Sequence, residues 1–368
     1  MNKKIHLGLV FGGRSAEHEV SILSARNVYE AIDRDKFDVS LFGIDKSGKI
    51  HFVNPDQLKL SVNNPKEIEA VESEGSLISF TSENSNKNTL PISDNAPSDI
   101  RKIDVVFPIL HGPYGEDGAI QGFFKTLDIP YVGPDVLGSS VAMDKDVAKR
   151  LLRDAGIPIA KFKVLTPSSK SAYGDLSEEL GSILFVKPAN MGSSVGVSKV
   201  DSADEFNAAV DDAFKYDRKV IVEECIKGRE LECSVLGNES PEASKLGEII
   251  TKGVHEFYSY DSKYVDKDGS ETQVVDDLPE EKINEIREIA VKAFKTLCCE
   301  GMARVDFFLE DNGRAVINEL NTIPGFTNIS MYPKLWEASG LKYTDLITRL
   351  IELAIERHKR DSLFASNS

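Results

Sequence analysis

At 368 residues the chain is long enough for two or three domains of about 100–200 residues each. With 41% hydrophobic and 28% charged residues it has the composition of an ordinary globular protein. The net charge of −16 and the lack of a long Lys/Arg run argue against nucleic acid and anionic membranes as partners. No apolar run reaches the ~18–20 residues of a membrane span. Met1-Asn2-Lys3-Lys4 leads into strand and not into a signal-peptide core, so a cytoplasmic protein is expected. Cys225, Cys233, Cys298 and Cys299 match no zinc or redox spacing, and Cys298-Cys299 reads as buried packing.

The residues 3–11 form an apolar strand that ends in Gly12-Gly13. Ser15 is placed to cap the following helix, and Glu17 and Glu19 fall in its first turn, where the helix dipole favours acids. Strand, glycine turn and helix open a doubly wound domain, whose ligands sit at the carboxyl ends of strands. The turn is not GxGxxG, so it does not indicate a dinucleotide. Taken alone, Glu17 is a dipole-matching carboxylate. A second strand covers 37–44. From Asp45 to about Asp99 the chain is polar, and the Ser-, Asn- and Pro-rich part from Glu83 on predicts an irregular insertion. A strand over 103–110 runs into HGPYGEDG at 111–118, and a helix starts at Ala119. His111 at a strand's carboxyl end is well placed for a site, although such a histidine alone is more often structural. A short strand is expected over 129–132, and Gly133-Pro134 begins the passage to a second domain.

A helix over 144–155, closed by Gly156 and Pro158, carries Lys145 near its start, where a solvated lysine is the ordinary reading. After a strand over 183–187, the loop PANMGSSVGV at 188–197 offers many backbone N–H groups, and it is either a plain connection or a phosphate cradle. It is not a P-loop. Lys187, directly before it, favours phosphate. Strands follow over 219–224 and 230–236. From Ile249 to Asp277 the chain is polar and aperiodic, with Phe257, Tyr258, Tyr260 and Tyr264, which suits a functional loop or lid. A helix over 280–299 turns Ile283, Ile286, Ala290, Ala293 and Leu297 inward, and a last helix over 344–360 does the same with Leu346, Ile347, Leu350, Ile351 and Ala354. Residues 361–368 are expected to fray.

Between those helices lies GMARVDFFLEDNGRAVINELNTIPGFT at 301–327, a hairpin around Asn312-Gly313. With a two-residue turn there, cross-strand partners have numbers summing to 625, which sets Asp306 opposite Glu319 and Arg304 opposite Asn321 on one face. Facing carboxylates repel. An exposed face with an ion pair is one reading. The flanking Phe307, Phe308, Leu309, Val316 and Ile317 bury the hairpin and favour the other, a Mg²⁺ site of hard oxygens that also takes substrate phosphates. Arg304 adds a positive fork for an anion.

A glycine-rich loop, isolated lysines and a late metal hairpin without a Walker motif describe the ATP-grasp plan. The chain closely resembles one family of that plan, the D-alanine–D-alanine ligases of bacterial cell-wall synthesis. Seven ordered motifs between about residues 4 and 359 carry the resemblance: GGRSAEHEVS, HGPYGEDGAIQG, MDK, VKPANMGSSVGV, KYV, ARVDFF and NELNTIPGFT. It implies an α/β (α+β) fold with a Rossmann-like N-terminal domain at 1–133, carrying the irregular insertion at about 45–100. A central ATP-grasp subdomain at 134–227 and a C-terminal one at 228–368 would hold ATP between them, under a loop at about 254–277.

The same resemblance implies roles. Asp306, Glu319 and Asn321 would hold two Mg²⁺ or Mn²⁺ ions. Lys145 and Lys187 would meet the ATP phosphates, with Ser194 and Lys263 beside them. Glu223, the backbone of Glu224 and Ile226, and Glu230 would form the adenine and ribose pocket, where Cys225 stands in place of the family's aromatic. Glu17 would hold the ammonium of the first D-alanine in a network with Ser193 and Tyr264, and His111 would lie near its carboxylate. Arg304 and the Gly325 N–H would form the anion hole, and Ser330 with the Met331 backbone would take the second carboxylate. The implied partners are ATP and two D-alanines, with a homodimer and a monovalent cation as further family expectations. A relative that joins D-alanine to D-lactate has Phe where this chain has Tyr264, so the tyrosine argues for the dipeptide. Other ATP-grasp carboxylate–amine ligases, an ATP-binding regulatory protein and a binding scaffold are the remaining alternatives. The regulator would be expected to have lost Arg304 or a metal ligand, and a scaffold leaves Asp306 opposite Glu319 unexplained.

Overall fold

A computed structural model describes residues 3–56, 76–84, 87–92, 100, 102–251, 270–327 and 329–365. The first sheet contains β1 (Ile5–Gly12), β2 (Phe37–Ile44), β3 (Ile50–Val53), β4 (Ser76–Asn84), β5 (Lys87–Pro91) and β6 (Val105–Ile109), in the order β5-β4-β3-β2-β1-β6. β1 is parallel to both β2 and β6. It is a near-continuous apolar run because both its faces are covered, and Leu7, Leu9 and Val10 are fully buried. The helix His18–Ala31 packs Ile22, Ala25 and Val28 onto this sheet.

The stretch expected to be irregular contributes β3, β4 and β5, each antiparallel to its neighbour. Polar spacers hid the strand period: in Ser76–Asn84, Ile78 and Phe80 are the buried members, two residues apart. Buried Asn88 also behaves like backbone. Its Oδ1 accepts from Ile103 N at 2.9 Å and its Nδ2 donates to Ile103 O at 2.8 Å. Conversely, the strand expected over 129–132 is reduced to one bridge, Val106 with Tyr131.

The second sheet, all antiparallel, contains β7 (Phe162–Leu165), β8 (Leu184–Pro188), β9 (Ser198–Val200) and β10 (Val220–Glu224) in the order β7-β10-β8-β9. Helices Tyr173–Leu180 and Ala203–Ala213 close its core with Leu176, Leu180, Phe206 and Val210. The third contains β11 (Arg229–Gly237), β12 (Glu242–Thr251), β13 (Ser270–Val274), β14 (Gly301–Leu309) and β15 (Ala315–Asn321), ordered β13-β12-β11-β14-β15. β12 and β13 take both ends of the stretch read as aperiodic. Its aromatic middle and the residues 252–269 lie outside the described residues. The helix Glu280–Thr296 buries Ile286, Ala290, Ala293 and Phe294 here, joined by Ala148 and Leu152 of the helix Lys145–Asp154.

The first and third sheets share a core. Leu7 and Phe107 belong to one cluster with Met302, Ile323, Phe326 and Tyr332. The helix Tyr343–Ala365 adds Leu346, Ile347, Leu350, Ile351 and Ala354, and it runs past the expected end at Arg360, where Arg360 pairs with Glu300 at 2.6 Å and with Asp361 at 2.8 Å. Of the two adjacent cysteines only Cys299 is buried, and burial raises its thiol pKa. Cys298 is exposed with φ +56°. Among the described residues no helix is long and apolar enough to cross a membrane.

Candidate active site

The hairpin of β14 and β15 places the carboxylates as expected, by a different route. Glu310 N bonds Arg314 O at 3.0 Å, Gly313 N bonds Glu310 O at 2.8 Å, and Gly313 has φ +84°. The connection is therefore three residues, ending in a left-handed glycine. Next to it partners sum to 624, as in Phe307 with Ile317. The register then shifts, and Asp306 faces Glu319 and Arg304 faces Asn321, summing to 625. Asn318 is the extra residue, a bulge that compensates for the longer turn. It presents its Oδ1 3.4 Å from Lys187 Nζ.

Cations from the protein balance the facing carboxylates. Arg304 Nε and Nη2 donate to Asp306 at 2.7 and 2.8 Å, and Nε lies 3.2 Å from Glu232 on β11, the neighbour of Asp306 on its other side. Lys145 Nζ lies 3.2 Å from Glu319, and Asn321 Nδ2 donates to Asp306 at 2.9 Å. Among the described residues no three His, Cys, Asp or Glu side chains converge on one point. Two facing carboxylates, with the Asn321 amide one cross-strand pair further along the same face, nevertheless fit a hard divalent cation by donor type.

These groups open into a cleft of about 620 Å³ between the second and third sheets, lined by Lys145, Lys187, Ser193, Ser194, Glu223, Glu224, Ile226, Glu230, Asp306 and Glu319. Glu223 is buried between two lysines, with Lys187 Nζ at 2.7 Å and Lys149 Nζ at 3.0 Å. Burial alone would raise its pKa, but Lys149 and Lys187 hold it below the usual carboxylate range. Burial lowers the pKa of Lys149 itself. Lys145, first residue of its helix, reaches Met191 O at 2.8 Å and so ties the glycine-rich loop to the hairpin. Its neighbour Asp144 caps the helix by accepting from Asp146 N and Val147 N, and pairs with Lys219 at 2.6 Å.

In the loop, Ser193 and Ser194 adopt left-handed φ values of +50° and +58°. Consecutive non-glycine residues there are strained, by about 1–3 kcal/mol each, and such backbone turns N–H groups to one side. The Ser193 Oγ is buried with no hydrogen-bond partner among the described residues. Tyr264, its expected partner, and Lys263 lie outside them.

Met191, Gly192, Ser193 and Val195 also wall a second hollow of about 430 Å³ that contains Glu17. A Cβ on Gly112 would lie 3.0 Å from Glu17 Oε2, and one on Gly192 3.2 Å from it, so both glycines make room for this carboxylate. Glu17 itself is the N-cap residue of its helix. Ser15 does not cap it: the Ser15 Oγ accepts from Glu17 N at 3.1 Å, a local turn. His111 is buried, and both ring nitrogens are engaged, Nδ1 with Ile323 O at 2.9 Å and Nε2 with Ser24 Oγ at 3.1 Å. Burial lowers its pKa, which favours the neutral ring. Ser330 Oγ accepts from Thr327 N at 3.0 Å and leaves no room for a side chain at Gly325, where a Cβ would be 2.8 Å away. Ser330 precedes the helix Met331–Ala338, and the Met331 side chain is buried against Gly247.

Four residues at these sites have no place in the sequence reading: Lys149, Glu116, Glu232 and Asn318. Lys149 follows Lys145 by one helical turn on the same face, a signal that was available. The others become visible only through tertiary register.

A nucleotide-sized cleft between two antiparallel sheets, lined by both lysines and acids, fits an ATP-dependent ligase of the ATP-grasp type. The family model described as D-ala D-ala ligase N-terminus matches residues 6–134, and that described as D-ala D-ala ligase C-terminus matches 151–352. The chain is 51% identical over 366 residues to a D-alanine–D-alanine ligase of Shouchella clausii, covering 99% of this chain and 98% of that protein. A solved D-alanine–D-alanine ligase from Coxiella burnetii superposes with TM-score 0.84 at 40% identity, covering 99% and 98% of the two chains. A D-Ala:D-Ser ligase from Enterococcus faecalis does so with TM-score 0.81 at 35% identity, covering 96% and 100%. The chain belongs to the D-alanine–D-alanine ligase family.

Proposed function

We infer that this protein joins two D-alanines, with ATP cleaved to ADP and phosphate, as a cytoplasmic step in peptidoglycan precursor synthesis. One observation carries the reading: the lysine-lined cleft and the Glu17 hollow meet across Ser193. A phosphoryl donor in the first and an ammonium-bearing carboxylate in the second would face each other across that residue.

The first alanine's carboxylate attacks the γ-phosphorus, ADP leaves, and an acyl phosphate forms. The amine of the second alanine, having lost a proton, attacks the acyl carbon, and phosphate leaves. Glu17 holds the first ammonium, supported by Ser193 and Tyr264. Lys145, Lys187, Ser194 and Lys263 hold the phosphates, and Glu223, Glu224, Ile226 and Glu230 frame adenine and ribose. Arg304 and the Gly325 N–H face the oxyanion, while Ser330 and the Met331 backbone take the second carboxylate. His111 orients the first-alanine site. Asp306, Glu319 and Asn321 would hold Mg²⁺ or Mn²⁺, in two ions, which neutralise charge on the transferring phosphoryl oxygens. Lys145 and Arg304, now paired with these carboxylates, would then turn to the substrates. The residues 254–277 shield the acyl phosphate from water. A division into units at 1–133, 134–227 and 228–368, a homodimer and a monovalent cation complete the proposal.

The likeness to a D-Ala:D-Ser ligase makes the acceptor the point to test. Phosphate release from ATP is measured with D-alanine, L-alanine, D-serine or D-lactate. D-alanine as sole amino acid is expected to support the highest rate and give the dipeptide. A higher rate with D-serine or D-lactate as acceptor would reject the dipeptide reading.

A further inference from the structure

We propose that Glu116, together with His111, is a positioning residue that clamps the Ile323 peptide and so sets the Glu17 wall of the first-substrate site against Arg304 and Gly325. The proposal rests on the function inferred above for what the site binds, but not for the clamp itself.

The two walls come from distant parts of the chain. Glu17 precedes the helix on the first sheet, while Arg304 lies on β14 and Gly325 follows β15. Ile323 stands midway between Asn321 and Gly325, and both ends of its peptide are gripped by the HGPYGEDG turn. Its N–H donates to Glu116 Oε1 at 2.9 Å, and its C=O accepts from His111 Nδ1 at 2.9 Å. The other Glu116 oxygen accepts from Gly112 N at 2.8 Å. Gly112 is the residue whose missing side chain makes room for Glu17. A second strap runs parallel to the first: His111 Nε2 meets Ser24 Oγ at 3.1 Å, and that oxygen accepts from Phe326 N at 3.3 Å. The connection from Glu17 to Gly325 therefore passes through Gly112, Glu116 and Ile323.

The chemistry requires a carboxylate here. Two N–H groups arrive from different segments, and each needs an acceptor oxygen. A glutamine offers one oxygen and aims an NH₂ at the other donor, and an aspartate is one methylene short. The charged groups facing Glu116 are Glu17 and Arg304, with neutral His111 alongside. Burial first, and Glu17 second, push its pKa up to about 7. One half-buried carboxylate thus answers two backbone N–H groups from separate segments, beside Glu17 and Arg304.

The test uses the full chain with Glu116→Gln and Glu116→Ala. Hydrogen exchange at the Ile323 amide is expected to accelerate about tenfold or more in both variants, as the loss of a bond to a charged acceptor implies, while amides of β1 stay unchanged. In steady state, KM for D-alanine is expected to rise about tenfold, with KM for ATP within about twofold of wild type. The melting temperature of Glu116→Gln at pH 8 is expected to stay close to that of wild type, because removal of a half-buried charge offsets the lost hydrogen bond. Unchanged exchange at Ile323 would overturn the clamp. So would a parallel rise of both KM values with a fall in melting temperature, which marks a fold defect. A wild-type enzyme silent toward D-alanine, with the exchange result as expected, would instead reject the substrate reading and leave the clamp standing.

Discussion

The lysine-lined cleft and the Glu17 hollow share a wall but hold their inner carboxylates in different ways. In the cleft three of the acids have a cation beside them: Glu223 has Lys149 and Lys187, Glu319 has Lys145, and Asp306 has Arg304. The hollow is lined by Glu17 with Arg14 and Lys46, and beside it Glu116 is held not by a lysine but by the backbone N–H groups of Gly112 and Ile323, with its pKa raised by burial and by Glu17. The contrast matches the proposed ligands. A polyphosphate brings negative charge to lysines that can change partners, and an amino acid, which carries both charges, meets a lining that offers both an acid and cations.

The largest expected effect separates the regions at the hairpin. Glu319→Gln should leave the melting temperature near wild type and lower turnover about a hundredfold or more, since charge stabilisation by metal is worth several kcal/mol. Near-normal phosphate release at saturating Mg²⁺ would remove Glu319 from the metal set. Next comes the hollow. Gly112 has φ +72°, and its Cβ would press on Glu17. Gly112→Ala should raise KM for D-alanine about tenfold through strain of about 1–3 kcal/mol and leave KM for ATP alone. A defect confined to ATP would erase the distinction between the regions.

A smaller effect is expected at Tyr264. Tyr264→Phe should lower dipeptide synthesis and admit D-lactate, a shift of about 1–3 kcal/mol in selectivity. The gain should be clearest below neutral pH, where the competing amine is protonated. Product ratios with both acceptors, from about pH 6 to 9, check this, and ratios equal to wild type at every pH would acquit the tyrosine. The smallest effect is on stability. Glu116 has its folded pKa raised from 4.5 to about 7. Between those values the folded protein binds more protons than the unfolded chain, so this group's contribution to stability is fullest at the acid end and declines as pH rises. Thermal denaturation from about pH 5 to 8 should show a shallower decline in Glu116→Gln, and identical slopes would mean that Glu116 titrates normally.

What could be read from the sequence divides by range. Periodicity placed the inward faces of the helices at 280–296 and 343–365, because core packing is periodic along one element. The level of Asp306 and Glu319 was legible although the turn was not two residues, since the bulge at Asn318 offset the error. β4 and β5 were missed because polar residues separate buried Ile78 from Phe80, and buried Asn88 bonds the Ile103 backbone while reading as loop. Lys149 and Glu116 carry the charge of surface residues, and only tertiary contacts bury the first and half-bury the second. Ser15 illustrates the reverse: a good capping residue by type, it closes a turn two residues too early.

The bulge at Asn318 also isolates the tip of the hairpin from its working end. Asp311 and Asn312 are exposed, and Lys282 anchors the tip through Gly313 O at 2.8 Å. Since register is reset at Asn318, a change in loop length at 311–313 is absorbed before it reaches Glu319. That makes the tip a natural place for length variation between relatives, and a point where a fluorophore or an affinity tag can be grafted without moving the chemistry.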